Sequence, residues 1–98
     1  MNKYEVMYIL KSDMEDAARK ELEVSLHAII TNDGEKIEKI DEWGLRDFAY
    51  EINGMTKGYY IVTTFQAKPE TIAEFDRVTR INSNVVRTMM INLNDVKQ

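Results

Sequence analysis

Apolar positions in the first third of the chain recur with two different periods, which predict a strand followed by a helix. Residues 4–10 form a compact run of aromatic, β-branched and aliphatic side chains, as buried strands do. The helical stripe that follows consists of Ala18, Leu22, Leu26, Ile29 and Ile30. This spacing places one helix face on a core. Ser12 and Glu15 have the spacing of a capping box, so we expect the helix to begin near Asp13.

The middle of the chain predicts two strands joined by a tight turn. Residues 35–43 mix charged and apolar side chains, as a partly exposed strand does, and Gly44 interrupts them as a β-bulge would. Large apolar side chains then alternate with smaller or charged ones over residues 48–52, which is the period of a strand. Asn53 and Gly54 favour a hairpin turn, and residues 59–67 have the highest β-propensity in the chain.

The last third of the chain predicts a second helix and a fourth strand. Pro69 suits the first turn of a helix, where a backbone N–H has no helical partner in any case. The apolar stripe after it comprises Ile72, Phe75 and Val78. The polar residues 82–84 end this helix, and residues 85–93 form the last predicted strand.

The predicted order is strand, helix, strand, strand, helix, strand. This order favours an α+β, ferredoxin-like split βαβ fold with a four-stranded antiparallel sheet and two helices on one face. We expect residues 1–98 to form one such domain, with a frayed polar tail at 94–98. The second sheet face would then be open, and its apolar side chains indicate a partner.

Composition excludes several classes of function. The chain has 98 residues, of which 44% are hydrophobic and 31% charged, as in a single folded domain. It has no cysteine and one histidine, so we expect no disulfide, thiol nucleophile, metal site or cofactor. His27 is predicted to lie at a helix edge with Glu23 as a surface partner, and the acids of this helix to face solvent. We therefore predict that the protein is not an enzyme and has no small-molecule substrate.

The sequence contains no segment that indicates a membrane or a secretion signal. The longest apolar runs have four residues, whereas a spanning helix needs about 20. No apolar core follows a basic start at the N-terminus. We expect a soluble, cytoplasmic protein without a membrane partner.

Charge is distributed unevenly along the chain. The net charge of −4 argues by itself against a nucleic-acid partner. Residues 1–76 carry nine basic and sixteen acidic residues, a net charge of −7, whereas residues 77–98 carry +3. Arg77 and Arg80 share a helix face, and Arg87 follows on the next strand. A local basic edge could meet a polyanion, although three ordinary solvated arginines explain the pattern equally well.

Residues 57–62 match the RNA-recognition motif in part. The segment reads Lys57-Gly58-Tyr59-Tyr60-Ile61-Val62 on the predicted third strand, where that motif carries base-stacking aromatics. Two of its three stacking positions are lost here. We expect Tyr59 and Tyr60 to pack instead, one on each face of the sheet.

Several motifs together resemble a known family, the bacterial small-subunit ribosomal protein six. They are Tyr4 and Glu5 in the first strand, the segment 43–53, and the segments 58–60 and 84–87. Gly44, Arg46, Asp47, Ala49, Tyr50, Ile52 and Asn53 fit the family pattern, and Phe48 stands where the family usually has Leu. The resemblance runs from about Lys3 to Leu93.

The resemblance implies a structural protein of the small ribosomal subunit in the cytoplasm. Such proteins bind the central domain of 16S ribosomal RNA and form a heterodimer with small-subunit ribosomal protein eighteen, which is basic. It implies an RNA-binding edge formed by Lys3, Arg46, Arg80 and Arg87. The aromatic residues expected on the partner side or in the core are Tyr4, Trp43, Phe48, Tyr50 and Tyr60.

The sequence is also consistent with two other functions. One is an independent single-stranded RNA binder, which needs stacking aromatics on the open sheet face. The other is a small-molecule regulatory domain of the same fold, which needs a pocket with convergent polar groups.

Overall fold

The computed structural model describes residues 2–32, 36–52 and 54–93. Its six elements occur in the predicted order and confirm the split βαβ arrangement. They are β1 (Asn2–Lys11), α1 (Asp16–Thr31), β2 (Ile37–Ile52), β3 (Met55–Ala67), α2 (Pro69–Ile81) and β4 (Val85–Asn92). The predicted tail 94–98, and Asn53 of the predicted hairpin turn, lie outside the described residues.

The four strands form one antiparallel sheet in the order β2-β3-β1-β4. Strand β1, which supplies four residues of the core, lies in the interior of the sheet, where Tyr8 pairs with Ile61 of β3 and with Thr88 of β4. Alternate residues of β1 are buried beneath the helices, because successive side chains of a strand point to opposite faces. The register therefore assigns every paired residue either to the helix-covered face or to the open face.

The core fills the space between the helices and one face of the sheet. It comprises Tyr4, Val6, Tyr8, Leu10, Leu26, Ile30, Ile61, Phe65, Ala67 and Phe75. Phe75 of α2 lies 6.3 Å from Tyr8 and 6.4 Å from Phe65 between ring centroids, so the second helix is anchored by aromatic packing on both central strands.

The predicted start of the first helix is wrong by three residues. Helix α1 begins at Asp16, and its N-cap residue, Glu15, makes no side-chain capping hydrogen bond. Met14 packs against the core, so residues 12 and 13 turn the chain before the helix begins. Tertiary packing thus overrides the local capping signal of Ser12.

The predicted stripe of α1 faces the core except at its first position. Leu26 and Ile30 are buried, and Leu22 and Ile29 pack against the core, whereas Ala18 is exposed. Glu23, predicted to face solvent, is only 8% exposed and points to the sheet. In the described part of the chain, no helix has the length and apolarity needed to cross a bilayer.

Candidate nucleic-acid and partner interface

Three aromatic side chains form a cluster on the open face of the sheet. Trp43 and Tyr60 are stacked, with ring centroids 6.2 Å apart and planes 9° from parallel. Phe48 lies 6.2 Å from the Tyr60 ring at a tilted angle. The Trp43 indole also donates a hydrogen bond of 3.2 Å to the Asp41 carboxylate. We call Trp43, Phe48 and Tyr60 the aromatic cluster.

A β-bulge allows residues at odd spacing to meet in this cluster. Trp43 and Phe48 are five positions apart, so an unbroken strand would place them on opposite faces. The register shifts between Glu42 and Gly44, which leaves Trp43 as the extra residue, and Gly44 has φ +79°. The predicted interruption at Gly44 is confirmed, and it returns Trp43 to the open face.

Gly58 lets Phe48 lie across the neighbouring strand. A Cβ atom added at Gly58 would stand 2.4 Å from Cγ2 of Ile9 and 2.7 Å from Cζ of Phe48. Both distances are far below van der Waals contact. The absence of a side chain here is therefore what allows the aromatic ring to close over β3.

The open face continues as an apolar surface towards β4. Met89 and Ile91 lie opposite Met7 and Glu5 of β1, and they are 47% and 44% exposed. Trp43 is 44% exposed. Contiguous exposed apolar side chains of this kind are uncommon on soluble monomers and mark interaction sites.

The other two aromatics expected on the partner side lie away from the aromatic cluster. Tyr4 is on the helix-covered face, where it is 9% exposed and packs against Phe65 with ring centroids 6.3 Å apart. It belongs to the core and is not part of the open face. Tyr50 is exposed near the end of the hairpin, and it contacts none of the described aromatic rings.

Three basic side chains share one end of the open face. Arg46 and Lys11 both lie opposite Gly58, one on each side of it, which puts their backbones about 10 Å apart. Arg87 lies opposite Ile9, two residues from Lys11 on the same face. Lys11 carries no signal of this role in the sequence pattern, because only the strand order and register bring it between the two arginines. We call these three residues the basic row.

Arg46 links the basic row to the aromatic cluster. Its guanidinium carbon lies 5.6 Å from the centre of the Trp43 ring, and its Nε donates to the Trp43 carbonyl at 3.5 Å. A cation over an indole face is attracted by the ring quadrupole. Arg46 is thus held where one side chain could serve a protein partner and an RNA phosphate.

Arg80 and Arg87 line a single shallow pocket at the outer edge of β4. The pocket has a volume of about 260 Å³ and is lined by Asp76, Thr79, Arg80, Val85, Val86, Arg87 and Thr88. Arg80 donates to the Asp76 carboxylate at 2.9 Å. Two arginines and two threonines therefore border a concave surface with one acidic residue, Asp76.

The charge asymmetry along the sequence is reduced in three dimensions. Arg77, in the basic final segment, pairs with Glu74 one helical turn earlier. Lys3 lies near the opposite end of β1 from the basic row and pairs with Glu38 at 3.6 Å. Within the described residues, Arg87 forms no ion pair. Of the four predicted RNA residues, the fold brings Arg80 and Arg87 together, keeps Arg46 at the far edge, and separates Lys3 from all three.

A buried polar cluster lies beneath α1, on a face of the helix that was predicted to be solvated. In the tautomer protonated on Nδ1, His27 accepts a hydrogen bond of 2.7 Å at Nε2 from the Tyr8 hydroxyl, and Thr63 lies 3.4 Å from the same nitrogen. Burial lowers the pKa of His27. The prediction of a helix-edge histidine paired with Glu23 is therefore wrong, since His27 reaches the sheet.

The two adjacent tyrosines of β3 point to opposite faces, as predicted. Tyr60 joins the aromatic cluster, whereas Tyr59 packs against the core beneath α1 with the guanidinium of Arg19 4.0 Å above its ring. One aromatic of the partial RNA-recognition motif is thus unavailable to a base on the open face. The described residues also contain no cluster of three candidate metal ligands.

The chain is similar to known proteins over most of its length. The family described as Ribosomal protein S6 matches residues 3–92. Two similar proteins are named small ribosomal subunit protein bS6. That of Halalkalibacterium halodurans is 44% identical over 90 residues, covering 92% of this chain and 95% of the relative. That of Alkaliphilus oremlandii is 46% identical over 93 residues, covering 95% and 98%.

A solved structure has the same architecture. The crystal structure of 30S ribosomal protein S6 from Thermotoga maritima superposes with a TM-score of 0.87 at 27% identity, covering 93% of this chain and 86% of the other. The match over nearly the whole domain confirms the resemblance indicated by segments 43–53 and 58–60. This chain belongs to the ribosomal protein S6 family, whose members are structural proteins of the small ribosomal subunit and not enzymes.

Proposed function

We propose that this protein binds the central domain of 16S ribosomal RNA together with small-subunit ribosomal protein eighteen, and so supports subunit assembly and translation. The observation that carries the proposal is the open sheet face, on which an aromatic cluster and a basic row lie side by side. Family membership supplies the ribosomal context. The proposed role is structural: this surface binds RNA and a protein and catalyses no reaction.

The partner docks over the β2 edge in this proposal. Trp43 offers an exposed indole there, and aromatic anchors dominate the binding energy of protein interfaces. Strand β2 carries five acidic and two basic residues, so it attracts a cationic protein. Lys39 and Arg46 are the two basic exceptions.

RNA meets the opposite edge, at β4 and the end of α2. Arg87 is exposed and, within the described residues, forms no ion pair, so it can approach a phosphate without giving up an existing contact. Arg80 borders the same pocket and can exchange its Asp76 partner for a phosphate oxygen. Lys11 also belongs to the proposed RNA-binding residues, because it lies beside Arg87 in the basic row. Lys3 provides a separate RNA contact at the other end of β1.

The test is a binding titration with a purified central-domain fragment of 16S RNA. The protein alone should bind weakly, because its net charge of −4 opposes a polyanion. Adding protein eighteen should produce tight, salt-sensitive binding. Equal affinity with and without that partner would overturn the proposal. Tight binding to unstructured single-stranded RNA by the protein alone would support the base-stacking alternative instead.

A further inference from the structure

One methionine, Met89, is exposed on the open face of the sheet. The structure describes Met7, Met14, Met55, Met89 and Met90, and among these only Met89 is exposed, with 47% of its surface accessible. Met14 and Met90 pack against the core, whereas Met7 and Met55 are half-buried. A thioether is converted to a sulfoxide only where an oxidant can reach the sulfur atom. Among the described methionines, a dissolved oxidant therefore reaches Met89 most readily.

Two of the neighbours of Met89 on the open face are apolar. Met7 of β1 lies directly opposite it across the two strands. Ile91 is the next residue of β4 on the same face, and it is 44% exposed. Neither of these two side chains contains a hydrogen-bond donor. A polar group formed at Met89 would therefore stand in the apolar part of the open face, next to two side chains that cannot satisfy it.

The third neighbour of Met89 is a cation. Arg87 precedes Met89 by two residues of β4 and lies on the same face, so their Cα atoms are about 7 Å apart. Long side chains bridge such a distance. Arg87 is exposed and, within the described ranges of the chain, it forms no ion pair. Its guanidinium can therefore turn to an acceptor at position 89 without breaking an ion pair to another described residue.

We propose that Met89 is a site of reversible oxidation by hydrogen peroxide, and that its sulfoxide weakens binding at the β4 edge of the open face. In this reaction the thioether sulfur takes one oxygen atom from the peroxide. The O–O bond breaks, an S–O bond forms, and water leaves, so sulfur is oxidised by two electrons and the peroxide is reduced. The effect on binding rests on the proposed function, whereas the oxidation of Met89 does not.

The sulfoxide weakens binding whichever way its oxygen atom is accommodated. If the oxygen is buried in the complex beside Met7 and Ile91, it loses its hydration without gaining a donor, which is unfavourable. If Arg87 turns and donates to it instead, the guanidinium is no longer available to an RNA phosphate. Reduction of the sulfoxide to the thioether removes both effects, so the change is reversible.

The site is tested on the wild-type protein by NMR of isotope-labelled methionine methyl groups during treatment with hydrogen peroxide. The methyl signal of Met89 should move to its sulfoxide position several-fold faster than the signals of Met14 and Met90, which pack against the core. The amide spectrum, recorded in parallel, should remain that of the folded protein. Equal rates for the three methionines would overturn Met89 as the site.

The effect on binding is tested by titrating the central-domain RNA fragment with protein eighteen and this protein, untreated or oxidised. Only this protein is oxidised, and catalase removes the peroxide before the partner is added. Oxidation should weaken binding about tenfold. Methionine sulfoxide reductase should restore the affinity. Met89→Leu should show the same affinity before and after peroxide, because leucine has no sulfur atom. Met55→Leu, the control on β3, should remain as sensitive as wild type.

The outcomes distinguish this inference from the proposed function. If the untreated proteins bind the RNA and oxidised wild type binds it equally well, the effect of the sulfoxide is refuted. If peroxide weakens Met89→Leu as much as wild type, another residue is responsible and the role of Met89 is refuted. If the untreated proteins do not bind the RNA together, the proposed function fails and the effect on binding fails with it, while the NMR rates still decide whether Met89 is the oxidised site.

Discussion

The two faces of the sheet carry aromatic groups of similar size and ring spacing, yet the two groups differ in function. Beneath the helices, Tyr8, Phe65 and Phe75 have centroid distances of 6.3 and 6.4 Å and are almost fully buried. On the open face, the aromatic cluster has distances of 6.2 Å, while its Trp43 remains 44% exposed. Ring packing alone therefore does not distinguish a core from a docking surface. Coverage by a second layer does.

The largest expected effect compares how much each face of the sheet contributes to the free energy of unfolding. Phe75→Ala empties the centre of the covered group and should lower the free energy of unfolding by about 3–5 kcal/mol. Urea unfolding followed by circular dichroism measures this loss. Tyr60→Ala is the matched change on the open face and should cost clearly less. Equal losses would show that the aromatic cluster is as much a part of the core as Phe75.

The next largest effect compares how much each face contributes to the affinity for protein eighteen. Trp43→Ala should weaken binding to protein eighteen by about 2 kcal/mol, as expected for an aromatic anchor. Calorimetric titration measures the change, while the unfolding free energy should fall by far less than in Phe75→Ala. Val24→Ala removes an exposed apolar side chain from α1 and is the control. Unchanged affinity in Trp43→Ala would remove the β2 edge from the proposed interface.

A smaller effect tests the one place where the open face is closely packed. Gly58→Ala places a methyl group within 2.4 Å of Ile9 and 2.7 Å of Phe48. Relief of this clash should cost about 1–3 kcal/mol of unfolding free energy. Gly44→Ala meets no atom within 4 Å but has φ +79°, so it isolates backbone strain of about 1–2 kcal/mol. The near-ultraviolet circular dichroism of the aromatic cluster should change with Gly58→Ala. An unchanged spectrum and stability would contradict the contact with Phe48.

The smallest effect concerns a single phosphate contact. Arg87→Glu should weaken binding of the protein pair to RNA and lower the magnitude of the salt slope by about one. Filter binding across a series of salt concentrations measures both quantities. Arg77→Glu is the control, because Arg77 already pairs with Glu74 on α2. Equal slopes for wild type and Arg87→Glu would show that Arg87 does not touch RNA.

The sequence predicted the elements whose signals are local. Pro69 occupies the first turn of α2, and the glycine at position 44 marks a true bulge, because each acts through its own backbone geometry. The capping box at Ser12 and Glu15 was a local signal too, but the packing of Met14 outweighed it. Local patterns therefore held wherever no core contact competed with them.

The site depended on information that no segment contains alone. Lys11 and Arg46 lie on either side of Gly58 only because β3 lies between β1 and β2. Glu23 and His27 are polar residues of a helix, which usually face water, and their burial follows from the placement of β2 and β3 beneath them. The family motifs identified the fold and its context, whereas these pairings required the register of the strands.

The strand order determines when each strand of a newly synthesised chain can pair with its neighbours. Strand β1 leaves the translating ribosome before the other elements, yet its two neighbours in the sheet are β3 and β4. Tyr4 pairs with Asn92, so one side of β1 remains unpaired until all the other described elements have been made. The β2–β3 hairpin, in contrast, closes over a short loop and can form early. A nascent chain of this protein therefore leaves one edge of β1, a strand that supplies four residues of the core, unpaired until β4 has been made, and such an unpaired edge favours aggregation.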